Sequence, residues 1–253
     1  MKLLSLNTWA GKEFDKLIKF ISDKSQEIDV FCFQEVFHTL TENKIVNEHY
    51  RANLFSELSK ILPDHKGYFA PAREGHGFNS PIGFQIAWGL AMFVKRSIEI
   101  KETGEVFIRG YKNSKGSDNT TVPRNLQYLL FSNKGKEYTI AHFHGLWNGK
   151  GKTDTDERLE QSRKIKNFTN EKEKLVLCGD FNLLPDTKSL EMLEENLINL
   201  IKTHKIKSTR SKLYAKLDKF TDYTLVSKDI KVEKFEVPEV EISDHLPMIL
   251  DFT

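Results

Sequence analysis

Cysteine is scarce in this chain, and its scarcity excludes a disulfide framework. The 253 residues contain only Cys32 and Cys178. Each lies inside an apolar run, Val30–Phe33 and Leu175–Cys178. Neither has the closely spaced Cys or His of a zinc site, so both are predicted to be small buried residues. This cysteine usage is typical of a reducing compartment, and we expect the protein to be cytoplasmic.

Long apolar runs and an excess of one charge are also lacking. No apolar stretch approaches the roughly 18 residues that cross a membrane, so no membrane span is predicted. The N-terminal segment Met1–Trp9 is too weakly apolar for a signal peptide and is expected to form a first strand. Lys and Arg number 38 against 36 Asp and Glu, a net charge of +2. Any nucleic-acid contact must therefore come from local patches, and no obligate protein partner is evident.

Hydrophobic periodicity predicts helices and strands in mixed order. Helices are expected over residues 12–24, about 40–62, 154 to about 168 and about 187–196, with Thr153 or Asp154 as the N-cap of the third. Strands are expected over 28–33, 90–94, 126–131, 138–143, 175–178, 220–226, 232–237 and 248–252. Residues 71–86 and 109–122 are expected to be loops, and Asn133–Lys136 a hairpin turn.

This order of elements indicates the fold class. Alternation of strand and helix at the start gives way to hairpins mixed with helices, which argues against a doubly wound parallel sheet. We predict an α/β (α+β) fold in which two mixed β-sheets pack face to face with helices on the outside. Because the sequence shows no repeat, linker or low-complexity segment, residues 1–253 are expected to form a single domain.

Polar blocks stand where the predicted strands end or begin. They are residues 6–9, 34–35, 142–144, 179–182 and 243–247. An acid or amide at a strand end costs free energy unless it binds something. Several such ends, rich in Asp, Glu, Asn and His, predict one carboxylate-lined site for a hard metal ion and a phosphate.

The acids and amides of these blocks have candidate roles. Glu35 follows a buried strand directly and is placed to bind a divalent metal. Asn7 could bind metal through its amide oxygen or donate to a phosphate. Asp180 and Asn182 share one side of an extended chain, where they could orient a water molecule and a phosphate oxygen.

The histidines suggest proton transfer and phosphate binding. His245, next to Asp244, could take a proton from water or hold a phosphate oxygen when charged. Its second ring nitrogen needs a partner, for which Asp222 is the first candidate and Asp218 the alternative. Two further side chains are expected at the phosphate: His144, supported by His142 on the same strand face, and Arg124 at the start of another strand.

Taken in order from Asn7 to His245, these blocks resemble the endonuclease/exonuclease/phosphatase superfamily, whose DNase I-like fold also serves sphingomyelinases and inositol polyphosphate 5-phosphatases. The resemblance implies a four-layer sandwich and an Mg²⁺-dependent phosphoester hydrolase, with Mn²⁺ as a possible substitute. It also implies roles for matching residues: Glu35, Asn7 and Asp244 at the metal, Asp180 at the water, Asn182 at the phosphate, and His245 as the catalytic histidine oriented by Asp222. His144 matches the DNase I-like and sphingomyelinase branches and departs from the tyrosine of the AP-endonuclease branch.

Three functions remain open at this level. A phosphodiesterase or nuclease is favoured by the basic loop Asn148–Lys152, with Lys150 as a substrate-binding residue, and by a basic run comprising Lys202, Lys205, Lys207, Arg210 and Lys212. A phosphatase or phosphodiesterase for a small molecule or lipid headgroup could use the 71–86 loop, which carries His76, Phe78 and Phe84 and lies close to Trp88. A catalytically inactive binding module on the same scaffold is the third reading.

Overall fold

The computed structural model describes residues 1–42, 45–47, 49–77, 81–114, 122–133, 135–149 and 151–253. Its strands are β1 Lys2–Asn7, β2 Val30–His38, β3 Ile45–Val46, β4 Tyr50–Arg51, β5 His65–Glu74, β6 Ala87–Lys95, β7 Glu99–Arg109, β8 Arg124–Asn133, β9 Lys136–His144, β10 Leu175–Asp180, β11 Leu197–Asn199, β12 Asp222–Ser227, β13 Val232–Glu236 and β14 Met248–Phe252. Its α-helices are α1 Phe14–Lys24, α2 Leu54–Ile61, α3 Asp156–Thr169, α4 Lys188–Glu194 and α5 Leu200–Thr203.

Two mixed sheets pack face to face, as the sequence predicts. The first has the strand order β13-β14-β1-β2-β6-β5 and the second β11-β12-β10-β9-β8-β7. Leu17 of α1 and Leu54 of α2 cover the outer face of the first sheet, and Ile165 of α3 packs on the second. Between the sheets, the buried free thiols of Cys32 and Cys178 contact each other, and burial raises the pKa of Cys32.

Strand direction brings the polar blocks to one rim. Strands β1 and β2 run parallel, as do β9 and β10, so Asn7 and Asp180 both stand at carboxyl ends. Strand β12 is antiparallel to β10 and places its first residue, Asp222, directly opposite Asp180. Strand β14 is antiparallel to β1, so His245, just before it, reaches the same rim.

The predicted helix over about 40–62 is wrong in its first half. The helix begins only at Leu54, and β3 and β4 pair as a short hairpin before it. Val46 does have a buried environment, but it packs against Phe37 and Ala52 rather than on a helix face. Val46 is thus an apolar residue that is buried without being helical, and its spacing from the apolar residues of α2 happened to match the period of a helix.

One predicted loop and one helix start also need correction, and one strand was not predicted. Residues 71–74 of the predicted 71–86 loop belong to β5, an edge strand that accommodates Pro71 at a bulge. Strand β7 was not predicted because it is another edge strand with mostly exposed, polar residues. Helix α3 begins at Asp156 with Thr155 as N-cap, since Asp154 instead accepts hydrogen bonds from the start of α4. The hairpin at Asn133–Lys136 is confirmed by the pairing of these two residues.

None of the described helices is both long enough and apolar enough to cross a bilayer.

Candidate active site

Local backbone geometry turns the site residues toward the rim. A bulge in β2 between Phe33 and Val36 leaves Glu35 in the left-handed region, with φ of 57°. Such a bulge re-aims a side chain at the cost of some backbone strain. Thr8 offsets part of this cost, because its Oγ1 lies within hydrogen-bonding distance of the carbonyl oxygens of Gln34 and Glu35, at 3.0 and 3.1 Å.

Asn7 connects the carboxylates of the two sheets. Its Nδ2 donates to Glu35 Oε1 and to Asp180 Oδ2, both at 3.1 Å, while its Oδ1 accepts from the backbone N of Trp9 at 3.0 Å. In this arrangement the amide oxygen points away from the carboxylates. Binding of a metal by Asn7 itself would require the amide to turn over.

The second carboxylate, Asp180, is held by several donors. Its Oδ1 accepts from Thr221 Oγ1 at 2.7 Å and from the backbone N of Asn182 at 2.9 Å. The amide of Asn182 is itself held, since its Nδ2 donates to the carbonyl of Gly145 at 3.1 Å. Oδ2 of Asp180 is thereby directed at the two site histidines.

The two site histidines approach Asp180 from different elements. His144 ends β9 of the same sheet, and His245 precedes β14 of the other sheet. His144 Nε2 lies 3.6 Å and His245 Nε2 3.7 Å from Asp180 Oδ2. Both carboxylate oxygens of Asp222 lie 2.9 Å from His245 Nδ1. The alternative partner, Asp218, lies elsewhere, 3.5 Å from Lys152 Nζ.

Burial and charge set the protonation of these groups. Burial raises the pKa of Glu35 to about 7 and lowers the pKa of His144 to about 3. Burial also opposes ionisation of Asp180, but the neighbouring histidines, Arg210 and Thr221 outweigh it and lower its pKa. For His245, burial and Arg210 act against protonation, yet the carboxylates of Asp222, Asp244 and Asp180 raise the pKa overall.

Arg210 is a site residue that was predicted only as one member of a basic run that could contact a nucleic-acid backbone. Its Nη1 donates to Asp244 Oδ2 at 2.9 Å and approaches His245 Nε2 at 2.5 Å. It reaches the rim because its backbone pairs with that of His245. The only sequence signal was position: a non-periodic basic segment stands immediately before the strand that begins at Asp222.

Arg124 takes the predicted place at the start of β8. The residue is buried, and its guanidinium lies 5.1 Å from the ring of Trp88, which in turn neighbours His144. Among the described residues, its Nε and Nη1 find no hydrogen-bond partner. Burial lowers its pKa to about 10. A buried, incompletely paired arginine of this kind is suited to bind an anion.

These side chains line one cavity of about 330 Å³. Its wall includes all the predicted site residues except Asn7, Asp222 and Lys150. It also includes Lys152 and Arg210 of the two predicted basic segments, and Arg73 and Gly77 of the 71–86 segment with nearby Trp88. The wall residues that were not predicted are Trp9, Tyr50, Val122, Trp147, Tyr214 and Lys216. Asn7 and Asp222 lie behind it, hydrogen bonded to Glu35 and to His245. Lys150 and Phe78 lie outside the described residues. His142 does not join the site, since it bonds Gln34 and Gln127 between the sheets.

The donor set fits a hard divalent cation. Glu35, Asp180 and Asp244 offer carboxylate oxygens to the cavity, and Asp244 Oδ1 is buried with no hydrogen-bond partner in the described structure. Ligand atoms of Asp180, Asp222 and His245 also lie within 4.8 Å of one another. Oxygen donors of this kind match Mg²⁺ or Mn²⁺ better than zinc.

A comparison with known families decides the assignment. The model of the endonuclease/exonuclease/phosphatase family matches residues 4–245. The chain belongs to this family. No curated protein sequence matches the chain. The family's members hydrolyse phosphoesters, so membership agrees with a carboxylate and histidine site at the rim of two sheets.

Solved structures of this family share the fold at low sequence identity. A family protein from Leptotrichia buccalis is 20% identical with a TM-score of 0.72, covering 100% of this chain and 99% of that one. A mannosyl-6-phosphatase from Bacteroides thetaiotaomicron is 18% identical with a TM-score of 0.71, covering 100% and 99%. The human Nocturnin catalytic domain with bound sulfate is 19% identical with a TM-score of 0.66, covering 100% and 93%.

Proposed function

We propose that this member of the endonuclease/exonuclease/phosphatase family is an Mg²⁺-dependent phosphoester hydrolase that cleaves a P–O bond by in-line attack of water. The observation that carries the proposal is the arrangement of Asp222, His245 and Asp180. The imidazole is bonded to one carboxylate through Nδ1 and presents Nε2 to the other at 3.7 Å.

Each of these residues has a task in that reaction. A divalent cation bound by the carboxylates would neutralise the phosphate and stabilise the leaving oxygen. Asp180 is ionised and held by Thr221 and Asn182, so its Oδ2 can orient the attacking water. Asp222 fixes the proton of His245 on Nδ1 and favours the imidazolium form. His245 Nε2 then exchanges a proton with the water or steadies a phosphoryl oxygen.

The phosphate is held by cations on both sides of this centre. Arg124 lies on the side of His144, and Arg210 contacts His245. Preorganised guanidinium groups stabilise the charge that develops on the equatorial oxygens of a phosphoryl transition state. Asn182, at the cavity wall, is the third group proposed to touch the phosphate.

The shape of the site favours a compact substrate. The reacting groups lie in a cavity of about 330 Å³, and aromatic rings form part of its wall. Small-molecule sites have volumes of about 300–1,000 Å³. A phosphatase or phosphodiesterase for a small phosphorylated molecule or headgroup therefore fits the geometry best.

A nuclease is the second candidate, and one groove supports it. Lys205, Lys207 and Lys212 line a groove that Arg210 shares with the catalytic cavity. Against this, the same groove contains Glu239 and Glu241, and Lys202 of the basic run is paired with Glu194. The basic run is thus divided among several surfaces, and a polyanion would meet only part of it.

The proposal is tested by hydrolysis of p-nitrophenyl phosphate, bis-p-nitrophenyl phosphate and plasmid DNA in Mg²⁺ or Mn²⁺. We expect activity that EDTA abolishes and that His245→Ala loses. His204→Ala is the matched control, because His204 lies outside the cavity on α5's C-terminal side. Activity that survives EDTA or His245→Ala would contradict the proposal. Cleavage of plasmid in preference to both small esters, weakening steeply with salt, would favour the nuclease.

A further inference from the structure

Two segments without regular secondary structure, one before α3 and one before β12, form one wall of the cavity. Each places the ammonium group of a lysine against an aromatic ring of the other. Lys152 Nζ lies 5.0 Å from the ring of Tyr214, and Lys216 Nζ lies 5.2 Å from the ring of Trp147. Each segment thus supplies a lysine to the aromatic ring of the other. Arg210 covers Tyr214 as well, at 4.0 Å. Cation–π contact of this kind orients long side chains and partly replaces their hydration.

Lys152 is a buried cation with a weak counter-ion. The residue is only 3% exposed, and its Nζ donates to Tyr214 Oη at 3.1 Å. The carboxylate near it, that of Asp218, is 3.5 Å away and 41% exposed. Burial of an ammonium group is costly unless an anion compensates it. An exposed carboxylate at this distance compensates it only in part.

The loop that carries Lys152 is held rigidly. The fully buried Arg158 of α3 donates to the carbonyls of Leu146, Gly151 and Thr153. The carbonyl of Lys152 accepts from the backbone N of Leu184 at 3.0 Å. The position of the Lys152 ammonium group is therefore fixed before any ligand arrives, which is the property of a binding site and not of a solvated lysine.

The charge of the cavity exceeds what one phosphate requires. Among the described residues, five cations line it, namely Arg73, Arg124, Lys152, Arg210 and Lys216, against the carboxylates of Glu35, Asp180 and Asp244. Outside the wall, Asp222 is paired with His245 and Asp218 partly compensates Lys152, which leaves an excess of between one and two positive charges before any metal ion is counted. A divalent cation would raise this excess to between three and four, whereas a phosphomonoester brings two negative charges at most.

The surplus lies on the side of Lys152 and Lys216. Arg210 is already engaged by Asp244 and Arg73 by His76, and Arg124 lies at the His144 side of the reacting centre. No described carboxylate lies within 4 Å of Lys216 Nζ. We name the set of Lys152, Tyr214 and Lys216 the Tyr214 wall. It can offer two ammonium groups and a phenol to one further anion.

We propose that the Tyr214 wall binds a second phosphate group of the substrate, so that the natural substrate is a compact molecule with at least two phosphate groups. This inference rests on the proposed function, since it assigns the cleaved phosphate to the carboxylate and histidine centre. The ring of Tyr214 is covered by Lys152 and Arg210, and the nearby ring of Trp147 by Lys216, so these rings orient cations for anion binding and do not stack on a base.

The first test measures binding without turnover. Calorimetry with excess Mg²⁺ compares methylphosphonate with methylene-, ethylene- and propylene-bisphosphonate, which span a range of phosphate separations. We expect at least one bisphosphonate to bind about tenfold or more tightly than methylphosphonate. Lys152→Met and Lys216→Gln should each remove most of this preference. Lys219→Gln, at an exposed lysine of the same segment that lines neither the cavity nor the adjoining groove, is the matched control.

The outcomes separate this inference from the proposed function. Equal affinity for mono- and bisphosphonates, or a preference that survives both variants, would overturn the second site even if p-nitrophenyl phosphate is hydrolysed. A preference that the variants abolish would support the second site even if no ester is hydrolysed, in which case only the proposed function fails. A kcat/KM for an oligonucleotide above that for every small bisphosphate would also overturn the inference.

Lys216→Gln keeps the test valid if Lys152→Met fails to fold, because Lys216 is exposed and its replacement leaves the buried core unchanged. In turnover, we expect Lys216→Gln to lower kcat/KM for a small bisphosphate about tenfold more than for p-nitrophenyl phosphate. A purely structural role of the segment would lower both values equally and would contradict the inference.

Discussion

Asp222 holds the imidazole of His245 with both of its carboxylate oxygens, each 2.9 Å from Nδ1. The pair is buried. Asp222 begins β12 of one sheet, whereas His245 lies just before β14 of the other. Packing of the sheets therefore fixes the direction of Nε2, which lies 3.7 Å from Asp180 Oδ2. The orientation of the proposed catalytic histidine is a property of the whole sandwich.

Asp222→Asn should keep the shape of this pair and lose its charge. Because the amide neither favours the imidazolium form nor fixes the Nδ1 proton as a carboxylate does, we expect kcat to fall by about 10²- to 10⁴-fold. Steady-state hydrolysis of a phosphomonoester in Mg²⁺ measures the loss. Asp218→Asn is the control and should change kcat by less than about threefold. An effect of Asp218→Asn as large as that of Asp222→Asn would contradict the assignment of Asp222 as the partner that activates His245.

Glu35→Gln should separate metal binding from folding. The variant removes a carboxylate that, like Asp180, accepts a hydrogen bond from the amide of Asn7. Because a carboxylate oxygen is lost from the proposed metal site, we expect the dissociation constant for Mn²⁺, measured by calorimetry, to rise at least about tenfold. The metal-free variant should unfold at an equal or higher Tm, because a buried carboxylate among acids is removed. Glu57→Gln on α2, outside the cavity, should leave Mn²⁺ affinity unchanged. Unaltered affinity in Glu35→Gln would remove Glu35 from the metal site.

The strand ends were predictable because polarity there is chemically expensive. Asp180, Asn182 and His245 follow or precede apolar runs in the sequence, so the cost of burying them marked them as functional. The fold class could be predicted from the sequence. The strand pairing that brings these residues together could not, because register depends on contacts far apart in sequence. The partner of His245 remained open between Asp222 and Asp218 for this reason.

The cationic residues of the cavity wall could not be predicted in the same way. Arg210, Tyr214 and Lys216 lie in a segment with no hydrophobic period, and a basic residue in such a segment is usually solvated. Backbone pairing of Arg210 with His245 turns this segment into the cavity, and that pairing is a tertiary contact. The short hairpin of β3 and β4 was missed for a related cause, since two-residue strands carry no periodic signal.

Arg158→Met should loosen the loop that carries Lys152. Three carbonyls would lose a buried donor, so we expect the free energy of unfolding to fall by about 2–4 kcal/mol. Urea unfolding measures this change. Arg163→Met on the same helix removes only an exposed pair with Glu160 and should cost less than about 0.5 kcal/mol. Equal effects of the two variants would show that Arg158 does not hold the loop.

His142 should make the fold sensitive to acid. Burial lowers its pKa to about 3, whereas an unfolded histidine titrates near 6.5. The unfolded chain therefore binds the proton more readily between these values, and stability is lost as pH falls below about 6.5. At pH 5 this loss amounts to about 2 kcal/mol from His142 alone.

His142→Gln should remove that contribution while keeping an amide that can bond Gln34 or Gln127. Urea unfolding of both proteins in EDTA at pH 7.5 and pH 5 tests it. Other buried histidines, such as His65, have lowered pKa values too, but they are common to both proteins and cancel in the difference. We expect the variant to gain about 2 kcal/mol relative to the native protein between the two pH values. Parallel losses in both proteins would mean that His142 binds the proton equally well in the folded and unfolded states and is therefore not the acid-sensitive group.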